Sequence, residues 1–107
     1  GLAERTDLAV VAPATANFLA KMAHGLADDL LSTVLLALQA PLLVAPAMNR
    51  NMWAHPATQA NVELLGQRGV RFVGPEEGRL ASGATGPGRM SEPETIAEAA
   101  VAVLAGS

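Results

Sequence analysis

Apolar positions along the chain form short continuous runs that alternate with stripes at helical spacing. Residues 8–12 and 42–45 are continuous apolar runs, and residues 70–73 form a shorter third segment. Such segments are typical of strands buried on both faces, as in a parallel sheet. The stripes predict four helices: residues 18–24, from Asp28 or Asp29 to Pro41, residues 56–67, and from Ser91 towards the end. This alternation predicts an α/β fold with parallel strands and right-handed crossovers.

The ends and inward faces of these helices also follow from residue types. Gly25 and Gly69 are expected to end the first and third helices. Carboxylates favour a helix N-terminus, so Asp28 and Asp29 are expected to start the second. Residues 91–94 match a capping box for the last helix. The side chains expected to face inward are Leu30, Leu31, Val34, Leu35 and Leu38, then Ala57, Ala60, Leu64 and Leu65, then Ile96, Ala99, Ala100, Val103 and Leu104.

Residues 45–53, Ala-Pro-Ala-Met-Asn-Arg-Asn-Met-Trp, follow the second strand and interrupt the apolar pattern. Ligands of open α/β sheets bind outside the carboxyl ends of strands, so we expect chemistry at this turn. Asn49 offers amide donors and a carbonyl acceptor, and Met48, Met52 and Trp53 offer an apolar wall beside it. The alternative is a plain strand-to-helix turn, capped by Asn49 or Asn51, with the methionines in the core.

A second turn, residues 13–17, follows the first strand and consists mostly of small residues. Small side chains let a ligand approach the backbone, Thr15 and Asn17 add hydrogen bonds, and the helix N-terminus favours a phosphate. The turn therefore predicts a cradle for a phosphate or a flavin. The alternative is a capped helix start, with Thr15 or Asn17 as the cap.

Residues 74–89 form a long connection that contains five glycines and two prolines. Connections of this length in compact domains are usually lids or binding loops. We expect a flap over a site, with Arg79 and Arg89 able to meet an anionic substrate. An exposed loop with solvated arginines is the alternative.

Composition narrows the class of protein. The 107 residues suit one small domain, and a net charge of −3 without a basic cluster argues against nucleic acid as a partner. No cysteine is present, which excludes disulfides, thiolate metal sites and a thiol nucleophile. His24 and His55 lack metal-ligand spacing, so no metal is expected. No apolar run reaches the ~18 residues of a membrane span, and we expect a cytoplasmic location.

The turns at 13–17 and 45–53, together with residues 79–90, resemble the homo-oligomeric flavin-containing cysteine decarboxylases. The segment 25–33 also matches that family. The likeness covers essentially the whole chain and is nearest to the branch that acts on phosphopantothenoylcysteine in coenzyme A synthesis. It implies a Rossmann-like (flavodoxin-like) three-layer parallel sheet with helices on both faces. Residues 1–107 are then expected to be the C-terminal part of the decarboxylase domain, lacking its N-terminal segment.

The resemblance also implies roles for individual residues. It assigns contacts with FMN to Thr15, Ala16, Asn17, Phe18 and Ala47. Asn49 would hold the substrate carboxylate, and Met52 would lie beside the substrate. Arg79, Leu80 and Ala81 would belong to a clamp over the phosphopantothenoyl arm. The implied reaction oxidises the cysteine thiol, releases carbon dioxide and returns the electrons to give 4′-phosphopantetheine.

Two departures from the family pattern keep other functions open. Ser82 stands where the coenzyme A branch has its proton-donor cysteine, and the family's histidine would precede Gly1. The alternatives are an oxidative peptidyl-cysteine decarboxylase and a non-catalytic flavin-binding or regulatory relative. The resemblance further implies a homotrimer or trimer-based assembly, with a possible synthetase domain after Ser107.

Overall fold

The structure, a computed structural model, describes residues 7–79 and 85–106. The side chains of residues 77–79 and 85–88 are outside that description. The elements in chain order are β1 (Ala9–Ala14), α1 (Ala16–His24), α2 (Leu30–Ala37), β2 (Leu42–Pro46), α3 (Arg50–Ala54), α4 (Pro56–Gln67), β3 (Arg71–Phe72), β4 (Glu76–Arg79), β5 (Thr85–Arg89) and α5 (Pro93–Leu104).

Three strands form a parallel sheet in the order β1-β2-β3. Leu43 lies opposite Val10 in β1 and opposite Arg71 in β3. The predicted parallel α/β arrangement is therefore confirmed, and it has the flavodoxin-like form of a parallel sheet with packed helices.

The first strand was expected to stop at Pro13, and that expectation is wrong. β1 continues through Pro13 to Ala14, with a shift in register between Val11 and Ala14. In the described chain β1 pairs with β2 alone. Proline lacks an N–H, which an edge strand with an irregular register tolerates.

A small apolar core lies between the sheet and the helices α1 and α4. Its buried members are Val11, Ala14, Leu19, Ala23, Val44 and Leu65. The two helices contact each other, and Arg68 Nη1 donates to the carbonyl oxygen of Ala23 across 2.8 Å. On the remaining side, α5 contacts β2. The large apolar side chains of the core are few, which agrees with the low aromatic content.

Helix α2 departs from its predicted face. It ends at Ala37, before the expected Pro41, and its leading leucines Leu30 and Leu31 are 81% and 49% exposed. The buried residue of α2 is Ser32. A capping box explains this, because Ser32 exchanges hydrogen bonds with the N-cap residue Asp29.

Helix α4, the third of the four predicted helices, has the predicted bounds but a different inward face. Thr58 and Leu65 are its buried residues, Leu64 is half-buried, and Ala57 and Ala60 are exposed. Sequence spacing therefore gave the right stripe for the leucines and the wrong one for the alanines. Small alanines carry little information on orientation, because exposing a methyl group costs little.

The last helix lacks the predicted capping box. Its N-cap residue is Glu92, whose side chain makes no capping hydrogen bond. The hydroxyl expected to cap, that of Ser91, donates instead to Glu76. Of the predicted inward positions, Leu104 is exposed, whereas the other four are partly buried.

The connection 74–89 is not a plain loop. β4 and β5 pair antiparallel within it, with Glu76 opposite Arg89 and Arg79 opposite Thr85. Glycine and proline led the sequence reasoning to a loop, because both are depleted in strands. Helix α3 was also not predicted, since five residues are too few to show a periodic pattern.

Candidate functional site

The two predicted turns meet at the carboxyl edge of the sheet. Ala14 at the end of β1 lies opposite Pro46 at the end of β2. Immediately beyond, the N–H of Ala47 donates to the carbonyl oxygen of Ala14 across 3.1 Å. This bond fixes the turn after β1 beside the turn after β2. The structure therefore brings together the predicted residues of both turns.

The first turn forms a capped helix start. Thr15 is the N-cap of α1, and its Oγ1 accepts the N–H of Phe18 across 3.1 Å. The first N–H groups of a helix have no acceptor inside it, which leaves those of Ala16 and Asn17 directed out of the turn. A helix start of this kind favours a phosphate. Thr15 is thus the cap, and the cradle remains compatible with it.

The second turn fixes the orientation of an amide. Asn49 is the N-cap of α3, and its Oδ1 accepts the N–H of Asn51 across 2.8 Å. Because the cap needs an acceptor, it identifies the oxygen and places Nδ2 on the other side. Within the described chain, Asn49 Nδ2 has no hydrogen-bond partner. The exposed Asn49 can therefore cap the helix and still donate to a carboxylate.

The three apolar residues expected to form a wall beside Asn49 divide between the core and the surface. Met48 and Trp53 are partly buried and pack against the core, whereas Met52 is 49% exposed. The carbonyl oxygen of Trp53 accepts from Gln59 Nε2 across 2.6 Å, which joins α3 to α4. Met52 is thus the member of the trio that faces solvent.

The β4–β5 hairpin lies over the same region. β5 contacts α3, which begins directly after Asn49. The predicted clamp residues Leu80 and Ala81, and also Ser82, lie outside the described residues. Arg79 is in β4, but its side chain lies outside that description too.

Of the two arginines expected to bind an anion, the structure describes the side chain of Arg89 but not that of Arg79. Arg89 Nη1 donates to Glu92 Oε1 across 2.7 Å, so this guanidinium already has an anionic partner. The structure thus does not present Arg89 as a free anion ligand. The assignment of Arg79 stays a prediction.

An ion cluster connects α1 to α2. Lys21 Nζ lies 2.9 Å from Asp28 Oδ1 and 3.0 Å from Asp29 Oδ2. The pKa of Asp29 falls from 3.8 to about 2, first because the Ser32 N–H donates to it and then because of Lys21 and the Ser32 hydroxyl. Hydrogen bonds to Asp28 and Asp29 raise the pKa of Lys21. Sequence reasoning gave the aspartates as a helix start but missed their lysine partner, which lies in the preceding helix.

Both histidines lie at helix ends. His24 is exposed at the end of α1, and His55 is the N-cap of α4, where its Nδ1 accepts the Ala57 N–H across 3.0 Å. Their predicted structural roles fit these positions. Among the described residues, no group of three or more His, Cys, Asp or Glu could hold a metal ion. In that part of the chain no helix is long and apolar enough to cross a membrane.

The cavities lie elsewhere. One of about 300 Å³ is lined by residues of α1 and α2, among them Met22 and Leu35, and includes Leu42 and Val70, near the amino ends of β2 and β3. It contains none of the predicted site residues. The candidate site is therefore an open edge, defined by two turns and a hairpin.

The fold is that of a flavin-binding α/β protein, and the chain belongs to the flavoprotein family, whose family model matches residues 1–105. The coenzyme A biosynthesis bifunctional protein CoaBC of Bacillus subtilis (strain 168) is 52% identical over 98 residues, which are 92% of this chain and 24% of that protein. A cysteine/cysteine sulfinic acid decarboxylase of an unknown prokaryotic organism is 52% identical over 91 residues, 85% of this chain and 25% of that protein.

Two solved structures are similar throughout this chain. One is a cysteine-to-serine variant of PPC decarboxylase in complex with pantothenoylaminoethenethiol, with a TM-score of 0.87 and 40% identity over 99% of this chain and 59% of that one. The other is the FMN-binding protein AtHal3, with a TM-score of 0.88 and 38% identity over 99% and 58% of the two chains. The chain spans about a quarter of the length of the curated relatives that it matches.

Proposed function

We propose that the protein is an FMN-dependent decarboxylase that converts 4′-phospho-N-pantothenoylcysteine to 4′-phosphopantetheine. The observation that carries this proposal is the bond between Ala47 and Ala14, which sets the helix start at Thr15 beside the amide of Asn49. A phosphate-binding helix start and a carboxylate donor at one sheet edge suit a flavin and an amino acid. The 52% identity to a coenzyme A biosynthesis protein supports the choice of substrate.

The turn after β1 fits the phosphate end of FMN. Its amide groups at Ala16 and Asn17 are free of intrahelical acceptors, and the small side chain of the partly exposed Ala16 leaves the backbone accessible. Thr15, Asn17, Phe18 and Ala47 complete the proposed contacts. FMN, when bound, supplies a two-electron acceptor and donor that no side chain of this chain can replace. The FMN-binding relative AtHal3 supports this assignment.

In this proposal Asn49 binds the carboxylate of the substrate. Nδ2 donates to one carboxylate oxygen, while the cap on Asn51 stops the side chain from rotating. A held carboxylate keeps the bond that breaks in a fixed orientation, which is a large part of catalytic rate. Met52 supplies apolar contact, and Arg79, Leu80 and Ala81 of the hairpin contact the phosphopantothenoyl arm.

Ser82 is proposed as the residue beside the carbon that is protonated last. Loss of carbon dioxide leaves an enethiol, whose reduction adds a hydride and a proton. A cysteine, with a pKa near 8.5, is suited to donate that proton, whereas a serine hydroxyl is a far weaker acid. The solved cysteine-to-serine variant of PPC decarboxylase holds an ethenethiol compound. This agrees with a slow final step when serine replaces cysteine.

The test compares products of the full-length protein and its Ser82→Cys variant by mass. We expect the protein with Ser82 to release carbon dioxide and accumulate the enethiol, two hydrogens short of the saturated product. Ser82→Cys should give saturated phosphopantetheine. If neither protein releases carbon dioxide, the proposed function is overturned. Equally fast saturated product from both would show that another group supplies the proton.

A second function is favoured by Ser82 itself. An enzyme that stops at the enethiol needs no acid there, which fits an oxidative decarboxylase of peptidyl cysteine. A relative named as a cysteine/cysteine sulfinic acid decarboxylase shows that matching proteins carry other substrate names. Offering a peptide that ends in cysteine beside phosphopantothenoylcysteine separates the two functions. A non-catalytic flavin-binding relative would turn over neither.

The assembly and setting of the protein belong to the same proposal. We place residues 1–107 in a decarboxylase domain that is completed by an N-terminal segment. The relatives are about four times longer than the matched region and are named bifunctional, which supports a fused synthetase domain. A homotrimer or trimer-based assembly in the cytoplasm completes the proposed arrangement.

A further inference from the structure

We propose that Ser91 is a positioning residue that sets the β4–β5 hairpin against the substrate side of the site. Five residues form the base of that hairpin, which we call the hairpin neck: Gly74, Glu76, Arg89, Ser91 and Glu92. The proposal rests on the proposed decarboxylase function for its effect on substrate binding. Its structural part stands on the contacts of the neck alone.

The first contact joins the two sides of the neck. Ser91 is 1% exposed, and its hydroxyl donates to Glu76 Oε1 across 2.8 Å. The pair spans 15 positions in sequence and lies where the hairpin leaves the body of the protein. A hydrogen bond to a charged group in a buried setting is stronger than an ordinary one. It therefore holds the start of β4 to the segment that follows β5.

The second feature is a close fit between Gly74 and Ser91. Gly74 has a φ of +73°, which side chains rarely adopt, and a Cβ there would lie 2.5 Å from Ser91 Oγ. Both the backbone conformation and the lack of space require glycine. Since a methyl group at Gly74 would displace the Ser91 hydroxyl, the glycine preserves the bond to Glu76.

The third contact anchors the other side of the neck to the last helix. Arg89, which lies opposite Glu76 in the strand pair, binds Glu92, the N-cap of α5. Arg89 Nε is buried and has no partner among the described residues. Because α5 also contacts β2, the neck is attached to the body that carries the site.

The neck can influence the site because β5 contacts α3, the helix capped by Asn49. Two strands leave the neck as a unit, so a change in its angle moves β5 along α3. Ser91 does not reach the reacting atoms in this arrangement. We therefore expect it to affect how the substrate arm binds, with little effect on the chemical steps once the substrate is bound.

The test is Ser91→Ala in the full-length protein. We expect the KM for phosphopantothenoylcysteine to rise about fivefold, as one net hydrogen bond is worth, with kcat and flavin content unchanged. Hydrogen exchange of the β5 amides should become faster. Glu76→Gln keeps an acceptor for the Ser91 hydroxyl but not its charge, so it should raise the KM less than Ser91→Ala does, whereas Glu76→Ala should reproduce Ser91→Ala.

Ser32→Ala is the matched control. Ser32 is 3% exposed and its hydroxyl also donates to a carboxylate across 2.8 Å, that of Asp29, but in α2. Ser32→Ala should lower thermal stability about as much as Ser91→Ala does, and it should leave the KM and the hydrogen exchange of β5 unchanged. An equal rise in KM for Ser32→Ala would overturn the proposal, as would unchanged β5 exchange in Ser91→Ala. If the wild-type protein decarboxylates nothing, the proposed function fails and the exchange measurement still decides the role of Ser91.

Discussion

At the scale of single residues, Asn49 caps α3 through its Oδ1, and its Nδ2 has no partner among the described residues. The proposed function gives that Nδ2 a second task, donation to the substrate carboxylate. The sequence offered these as alternatives, a cap or a substrate donor, because residue type alone does not orient an amide. The structure shows that the cap is made, and that making it leaves the donor available.

This dual use gives a sharp prediction for Asn49→Asp. The carboxylate still accepts the Asn51 N–H, so the variant should fold and keep its flavin. It loses the donor and repels a substrate carboxylate, and kcat/KM for decarboxylation should fall by about 100-fold or more. Asn51→Asp, two positions along the same helix, is the control and should stay within a few-fold of wild type. Normal turnover by Asn49→Asp would make Asn49 a structural cap only.

A second residue-scale prediction concerns pH. The pKa of Asp29 is lowered in the folded protein from 3.8 to about 2. A lowered pKa means that the carboxylate adds stability above about pH 4, and that this stability is lost as pH falls towards about 2. Asp29→Asn keeps an oxygen for the cap but has no charge to titrate. Its stability should therefore decline less between pH 4 and 2 than that of wild type.

Denaturant midpoints at several pH values measure this difference. Asp28→Asn is the matched comparison, because Asp28 shares Lys21 with Asp29 but makes no cap. It should follow the wild-type pH dependence more closely. Parallel curves for wild type and Asp29→Asn would show that Asp29 does not contribute to acid unfolding.

At the scale of elements, the sequence predicted the structure correctly where two local signals agreed. The bounds of α4 were found because Pro56 suits a first helical position and Gly69 follows the end. The turns at residues 13–17 and 45–53 were placed at the ends of β1 and β2 because each interrupts an apolar run, and their role as a binding site stays a prediction. The hairpin and α3 were missed, because pairing of β4 with β5 and a five-residue helix both depend on contacts that composition does not show.

The apolar stripe of α2 was misassigned for a different physical reason. Hydrophobic spacing shows that one face avoids water but not what covers it. In the described chain Leu30, Leu31 and Leu36 are exposed, whereas Ser32 is buried by its bonds to Asp29. A local polar contact thus decided which side of the helix faces inward.

Packing of α4 on the core gives an element-scale prediction. Leu65 is 3% exposed and belongs to the core, whereas its neighbour Leu64 is half-buried. Leu65→Ala should reduce the free energy of unfolding by about 2–5 kcal/mol through lost burial and a cavity. Leu64→Ala, the same change one position earlier, should cost clearly less. Chemical denaturation of the full-length variants measures both, and equal losses would contradict the assigned inward face.

At the scale of the whole molecule, the exposed leucines of α2 predict self-association. Apolar side chains in contact with water beyond isolated positions are typical of interaction surfaces, and Leu26, Leu30, Leu31 and Leu36 lie close together in sequence. We expect the full-length protein to sediment as a homo-oligomer, and specifically as a trimer or a multiple of one. A strict monomer at micromolar concentration would contradict this prediction.

One bond described above also bears on how such a protein changes its substrate over evolution. The contact between Ala47 and Ala14 joins two main-chain atoms, so its length does not depend on any side chain. With Asn49 and Met52 on the substrate as proposed, exchanging either residue would alter which molecule is accepted without altering its distance from the neighbouring helix start. In the proposed site, single substitutions can thus change the substrate, while the distance between the substrate and the flavin-binding helix start, on which electron transfer depends, stays the same.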